Sequence, residues 1–161
     1  VMNSRKSVVA WLIIGIIVTP FLAYGLSSFI PQYDSFIVTS GSMEPEIQTG
    51  SLLFTVKTPP ENISVGDTIT FQEDGAHTTH KVIERNGSET GISFRTQGIA
   101  NSSPDPGTVT EAELVGKKLL SIPFLGHFIV WTGTTTGIML LVLIPGIVLI
   151  IMEARNITRE L

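Results

Sequence analysis

Two serines that could act as nucleophiles, Ser40 and Ser42, flank a glycine, and the apolar Met43 follows them. A serine hydroxyl attacks a carbonyl efficiently only when a general base lies within hydrogen-bond reach, and the base works best when a third group orients it. Taken alone, two serines in a loop are also typical of a solvated turn. A catalytic interpretation therefore depends on finding the base and its partner elsewhere in the chain.

Three side chains are candidate bases: His77, His80 and Lys81. Neighbouring residues of a regular strand face opposite sides of the sheet, so His80 and Lys81 cannot both address one serine. Histidine, with an ordinary pKa near about 6.5, transfers protons at neutral pH, whereas lysine must first be desolvated. His80 is the preferred base, and His77, beside a turn, is interpreted as an exposed loop residue.

Asp105 is the candidate third group. The Asn86-Gly87 pair predicts a two-residue hairpin turn, because a type I′ turn needs positive φ at both positions. With that turn, His80 pairs with Ser93, and the returning strand leads toward Asp105. We therefore expect His80 and Asp105 to meet despite their separation in sequence.

Other polar side chains favour simpler interpretations. His127 is interpreted as an interfacial side chain, and Ile37 and Met43 by default as apolar packing. No spacing of histidines and carboxylates indicates a metal site, and no cofactor is expected. The chain has no cysteine, which excludes disulfides and thiol catalysis.

The elements that must position these groups are predicted to be strands. Between residues 31 and 121, short runs rich in β-branched and aromatic residues recur between turn signals. The runs are SFIVT, SLLFTV, DTITF, THKVIE, GISFRT and ELVGKKLLSI. The pattern predicts a mainly β fold with an antiparallel sheet in this domain.

Two apolar segments flank the β domain. Val8–Ile30 carries no charge and would span roughly 34 Å as a helix, enough to cross a bilayer core. A cleaved signal peptide is the alternative, but its apolar region is usually shorter. The second segment is Phe128–Met152. We therefore expect an anchor in residues 1–30, the β domain in residues 31–121, and a transmembrane helix with a tail in residues 122–161.

Charge and composition agree with a membrane protein. The 161 residues are 43% hydrophobic, with a mean hydropathy of +0.36. Basic residues precede the first segment and follow the second, which predicts cytoplasmic termini and an extracytoplasmic β domain. The net charge of −4 argues against nucleic acid as a partner.

Five blocks, read in order, resemble type I signal peptidases of the branch found in archaea, the endoplasmic reticulum and some Gram-positive bacteria. They are SGSMEP, VGDTITF, THKVIE, TQGIANSSPDPGTV and LVGKKLLSIPFLG, which together extend over most of the chain. The resemblance implies a membrane-bound serine endopeptidase that removes signal peptides from exported preproteins. The implied partners are these preproteins and the lipid bilayer, with the secretion translocon as a candidate. The expected location is the plasma membrane, with the endoplasmic reticulum membrane as the alternative.

The resemblance also implies a role for each site residue. Ser42 corresponds to the nucleophile, His80 to the base and Asp105 to the acidic residue near the base. Ser40 matches a position whose hydroxyl helps to bind the oxyanion. Val38 and Met43 flank the serines, and from this adjacency we expect them to be walls of the substrate pocket.

The chain departs from the family pattern at Ile99, where aspartate is usual. Loss of a carboxylate near the base could lower activity and leave Asp105 as the sole orienting acid. The alternative function is therefore a catalytically impaired paralogue or a subunit that binds signal peptides without cutting them.

Overall fold

The computed structural model describes residues 30–88 and 91–140, together with positions 19, 25, 143, 144, 147, 150, 151 and 155. Within this part of the chain, seven strands form one sheet in which each observed pairing is antiparallel. The strands are β1 (Tyr33–Ile37), β2 (Leu52–Val56), β3 (Thr68–Glu73), β4 (Ala76–Ser88), β5 (Gly91–Gln97), β6 (Val109–Thr110) and β7 (Leu114–Ile122). The helical elements include a 3₁₀ turn (Pro60–Asn62) and α1 (Leu125–Thr132), and residues 135–140 are helical as well. The predicted mainly β fold is confirmed.

The sheet does not follow chain order. Its strands lie in the order β1-β2-β7-β3-β4-β5-β6, so the last strand is inserted between β2 and β3. Strand β7 therefore joins the half of the sheet that carries the serines to the half that carries His80. The sequence runs located the six longer strands to within a few residues, whereas the two-residue β6 was not predicted.

The predicted register of the β4–β5 hairpin is wrong. Asn86 and Gly87 do not form the turn: they pair with Ser93 and Ile92 inside the strands. The pairing continues beyond them, and a bulge between Val82 and Glu84 shifts the register again. His80 therefore does not lie opposite Ser93.

The tight type I′ turn occurs instead between β3 and β4. Asp74 and Gly75 have φ of 49° and 79°, and Glu73 pairs with Ala76 across them. Aspartate followed by glycine satisfies the positive φ values of this turn as readily as asparagine followed by glycine. The β3–β4 turn thus fixes the register of the strand that carries His80.

Two groups of buried side chains hold the sheet together. The larger fills the sheet half that carries His80, and the smaller lies under the connection between β1 and β2. The larger consists of Ile63, Ile69, Phe71, Val82, Phe94 and Val109. The smaller consists of Met43, Ile47 and Leu53, with Val38 packed against it.

The first predicted membrane segment falls largely outside the described residues, and the second falls outside them in part. Of Val8–Ile30, only positions 19, 25 and 30 are described, and Phe128–Met152 is described in part. No helix in the described part of the chain is both long enough and apolar enough to cross a membrane.

Candidate active site

Ser42 lies in the connection between β1 and β2, here called the nucleophile loop (residues 38–51). Backbone hydrogen bonds from Val38 N to Ser51 O and from Gly50 N to Val38 O close the loop at its base. Met43 and Ile47 are each at most 2% exposed and anchor it in the smaller core group. Burial of these two side chains on both sides of a turn fixes the position of Ser42.

His80 lies in the middle of β4, paired with Ile69 of β3, and is 7% exposed. Its Nε2 atom lies 3.0 Å from Ser42 Oγ. Its ring edge approaches Phe71, with ring centroids 6.3 Å apart. The nearly buried imidazole is therefore held between an apolar ring and the serine hydroxyl.

Asp105 lies in the connection between β5 and β6, beside His80. Its Oδ2 atom is 2.6 Å from His80 Nδ1, and it also accepts a hydrogen bond of 2.8 Å from Thr96 Oγ1. An ionised carboxylate only accepts hydrogen bonds, so the proton of this contact belongs to Nδ1, leaving Nε2 of the neutral ring as the acceptor. The three residues form a continuous hydrogen-bonded chain from hydroxyl to carboxylate.

Ser40 lies beside Ser42, with their Oγ atoms 3.4 Å apart. The main chain of Ser42 is fixed from the other side, because Ala100 N donates to Ser42 O at 2.9 Å. The connection after β5 thus contacts both the base, through Asp105, and the nucleophile loop, through Ala100. The hydroxyls and backbone amides of the nucleophile loop are the groups able to bind a developing oxyanion.

An open groove of about 350 Å³ leads away from Ser42 and His80. One wall is formed by β1 and the start of the nucleophile loop, including Val38, and the other by residues 77–80 of β4. Met43 also lines the groove, although it is almost fully buried. Both residues named as pocket walls thus face the groove; their role in substrate binding stays a prediction.

His77 also lines this groove. Its side chain is exposed, as predicted, but it belongs to β4 and not to a loop. Its ring contacts Phe36 across the groove, with centroids 4.7 Å apart. The two walls therefore meet at this point.

The chain is similar in sequence to known signal peptidases. Signal peptidase I W of Bacillus subtilis is 36% identical over 76 residues, which are 46% of this chain and 40% of that protein. The signal peptidase complex catalytic subunit SEC11C of Homo sapiens, and the same subunit of Canis lupus familiaris, are 31% identical over 100 residues, 56% of this chain and 52% of each relative. Over these segments the chain is similar to signal peptidases.

The similarity to the signal peptidases covers only part of each protein. The chain spans about half the length, or less, of these curated relatives. No protein-family model matches it. The relationship expected from the five sequence blocks is confirmed, while the assignment of individual catalytic residues stays a prediction.

Ile99, the position at which the sequence departs from the expected pattern, is exposed by 37% in the turn after β5. It directly precedes Ala100, whose amide holds the Ser42 carbonyl. Ile99 brings no charge to the site, and Asp105 alone contacts His80 as an acid in the described part of the chain. The contacts from Ser42 to His80 and from His80 to Asp105 form with isoleucine at position 99.

Glu46 is a residue of the nucleophile loop that sequence analysis did not select. Its carboxylate lies 2.7 Å from Lys81 Nζ and 3.0 Å from Lys118 Nζ. The hydrogen bond from Lys81, and to a lesser extent the one from Lys118, holds the pKa of Glu46 below its ordinary value of 4.5. Lys81, rejected as a base, instead ties the nucleophile loop to the strand that carries His80.

Two further contacts were also missed, and neither has a distinctive sequence signal. Thr96 is a threonine in a strand, a common occurrence, and Ala100 acts through its backbone amide.

His127, in α1, is exposed and donates its backbone N–H to Gly50 O at 3.1 Å. Among the described residues, no cluster of three or more histidine and acidic side chains is arranged to hold a metal ion.

Proposed function

We propose that the chain is a serine endopeptidase that removes N-terminal signal peptides from exported preproteins. One observation supports this above the others: Ser42 Oγ lies 3.0 Å from His80 Nε2, and His80 Nδ1 lies 2.6 Å from Asp105 Oδ2. A nucleophile, a base and an orienting acid in this order are what acyl transfer requires. The relationship to signal peptidases supplies the substrate class.

The first chemical step joins Ser42 to the substrate. As Ser42 Oγ attacks the scissile carbonyl carbon, its proton moves to His80 Nε2. Asp105 keeps the Nδ1 proton in place and stabilises the imidazolium that forms. Collapse of the tetrahedral intermediate breaks the peptide bond, and His80 gives its proton to the leaving amine of the mature protein.

The second step releases the signal peptide. Water attacks the acyl-enzyme carbonyl while His80 takes a proton from the water. The ester bond to Ser42 then breaks as His80 returns that proton to Ser42 Oγ. The negative oxygen of each intermediate is bound by the Ser40 hydroxyl and the Ser42 backbone N–H. Donors aimed at that charge typically contribute about 10²–10³ in kcat each.

The preprotein binds as an added strand in the groove. Among the described strands, β1 pairs with β2 on one side, and residues 77–80 of β4 pair with β3 on one side, because β4 pairs with β5 only from Lys81 onward. Each groove wall therefore has a second edge at which no described strand pairs. An extended peptide inserted there gains main-chain hydrogen bonds, while small pockets select its side chains. Val38 and Met43 line the pockets nearest Ser42 and favour small residues.

The apolar segments at both ends anchor the enzyme in the membrane, with residues 31–121 on the extracytoplasmic face. Their lengths and flanking charges support this arrangement. We assign the plasma membrane, with the endoplasmic reticulum membrane as the alternative. Protease treatment of sealed inside-out vesicles tests the orientation: the β domain should be protected, and its digestion would contradict the assignment.

A cleavage assay tests the activity. Full-length protein in detergent is mixed with a labelled preprotein that carries small residues one and three positions before the cut. Ser42→Ala and His80→Ala should each lower kcat by roughly 10⁴-fold or more, whereas Ser103→Ala, an exposed serine outside the site, should cleave at the wild-type rate. Full cleavage by either site variant would overturn the proposal.

A catalytically impaired, peptide-binding paralogue is the second candidate, and Ile99 is the observation that favours it. The two functions differ in how they respond to Ile99→Asp. If the chain is an enzyme, the wild-type protein should already cleave, and Ile99→Asp should at most raise its rate. A paralogue should bind the signal peptide without cutting it, and should acquire cleavage only with the aspartate.

A further inference from the structure

Asp105 is positioned by one residue through two bonds. It lies outside the strands, in the connection between β5 and β6, where a side chain is free to adopt several rotamers. Its backbone N–H donates to Thr96 O at 2.9 Å, and its Oδ2 accepts from Thr96 Oγ1 at 2.8 Å. Thr96 thus fixes both the main chain and the carboxylate of Asp105.

The hydroxyl of Thr96 and His80 Nδ1 meet the same carboxylate oxygen. Two donors on one oxygen define the direction of the carboxylate more narrowly than either donor alone. The hydroxyl is also held in place, because Thr96 is 2% exposed and its β-branched side chain has few rotamers. The donor is therefore ordered before substrate binds.

Thr96 is linked to His80 through the sheet as well. It pairs with Val82 of β4, two residues beyond His80. The base and the residue that orients its acid thus lie on adjacent strands, whereas Asp105 itself lies in a connection outside the strands. A buried hydroxyl also needs a partner for stability alone, so a purely structural role must be distinguished by experiment.

We propose that Thr96 is a positioning residue that acts through Asp105 to hold the tautomer and orientation of His80. The inference deepens the proposed function and rests on it for its kinetic consequence. Thr96→Val keeps the shape of the side chain and removes the donor, while Thr96→Ser keeps the donor. Loss of one hydrogen bond to a charged group should lower kcat roughly tenfold or more in Thr96→Val, with KM unchanged, and Thr96→Ser should retain most of the rate.

A double-mutant cycle separates positioning from stability. In an Asp105→Asn background, Thr96→Val should cause little further loss of kcat, because the group through which it acts is already altered. Equal losses in both backgrounds would overturn the proposal. So would a wild-type kcat in Thr96→Val.

The proposal is also tested without turnover, by proton NMR of the full-length protein with labelled histidine. The signal of the His80 Nδ1 proton should shift or broaden in Thr96→Val and stay in place in Thr96→Ser. An unchanged signal in Thr96→Val would overturn the proposal, even for a protein that cleaves nothing. Absence of cleavage by the wild type would instead count against the proposed function.

Discussion

Gly98 shows how closely the two sides of the site approach each other. A Cβ atom at this position would lie 2.7 Å from Ser42 O and 2.7 Å from Asn101 Nδ2. The Asn101 side chain can move, but the Ser42 carbonyl belongs to the backbone that carries the nucleophile and is already bonded to Ala100 N. Glycine is therefore required at Gly98 by space.

Gly98→Ala should displace the nucleophile loop from His80 and lower both the cleavage rate and the melting temperature. Overpacking typically costs about 1–3 kcal/mol, and a shift of about 1 Å at a nucleophile lowers rates about 10²-fold. Gly87→Ala is the matched control, since no atom lies within 4 Å of its added Cβ. Wild-type cleavage by Gly98→Ala would show that the loop adapts.

At this scale the sequence predicts side-chain chemistry better than backbone contacts. Ser42, His80 and Asp105 carry functional groups that limit the candidates to a few, and the structure brings these three together. Ala100 contributes its backbone amide, which holds the Ser42 carbonyl, and Gly98 contributes space, because it has no side chain. Such roles depend on the path of the chain in space, which residue type alone does not specify.

Among the elements, the nucleophile loop is held at its base by backbone bonds, from below by buried side chains, and at its side by Glu46. The two lysines that bind Glu46 come from β4 and β7, so one carboxylate joins the loop to two strands. Each pair is partly exposed and contributes modestly, because solvent and salt screen it. The value of this contact lies in fixing the loop relative to His80.

Glu46→Gln should lower the free energy of unfolding by at most about 1 kcal/mol at neutral pH. Because the pKa of Glu46 is lowered in the folded protein, the contribution is complete above the ordinary value of 4.5. It is lost as the pH falls through the lower folded pKa. Denaturant unfolding at pH 7 and pH 3 measures this difference.

The control for this experiment is Glu84→Gln, which removes a looser pair with Arg95, 4.0 Å apart and about half exposed. Its effect on unfolding should be smaller at pH 7. High salt should reduce the Glu46 effect as acid does. A Glu46→Gln effect that does not shrink at all between pH 7 and pH 3 would mean that the carboxylate stabilises the loop by packing and not by charge.

The wrong register predicted for the β4–β5 hairpin concerns how whole strands pair, not single residues. Both Asp74-Gly75 and Asn86-Gly87 fit the local requirement of a type I′ turn, and only the first forms one. Choosing between them needs the full set of strand partners, including β7, which pairs with β3 from a distant part of the chain. Local sequence predicted the strands but not this long-range pairing.

At the scale of the whole molecule, helix α1, which follows β7, meets the nucleophile loop at Gly126. A Cβ there would lie 2.8 Å from both Gly50 O and Ser51 O and 2.9 Å from Ile37 Cγ2. The next residue, His127, donates its backbone N–H to Gly50 O. The start of α1 therefore packs directly on the residues that close the loop around Ser42.

Gly126→Ala should push α1 away from the sheet, since two backbone carbonyl oxygens cannot yield as a flexible side chain would. A cost of about 1–3 kcal/mol, typical of overpacking, corresponds to a fall in Tm of roughly 2–10 °C for a protein of this size. Cleavage should fall as well, because Gly50 and Ser51 hold the base of the nucleophile loop. Thermal unfolding of the full-length protein in detergent measures the first effect and the preprotein assay the second.

Gly133→Ala provides the matched control at the other end of the same helix. Gly133 has φ −76° and ψ −10°, values that alanine adopts readily, and its added Cβ would come no closer than 3.4 Å to another atom. This variant should melt at or slightly above the wild-type temperature, because alanine loses less conformational freedom on folding than glycine. Equal melting temperatures for Gly126→Ala and Gly133→Ala would show that the contact with Gly50 does not fix α1. They would contradict the proposed packing of α1 on the nucleophile loop.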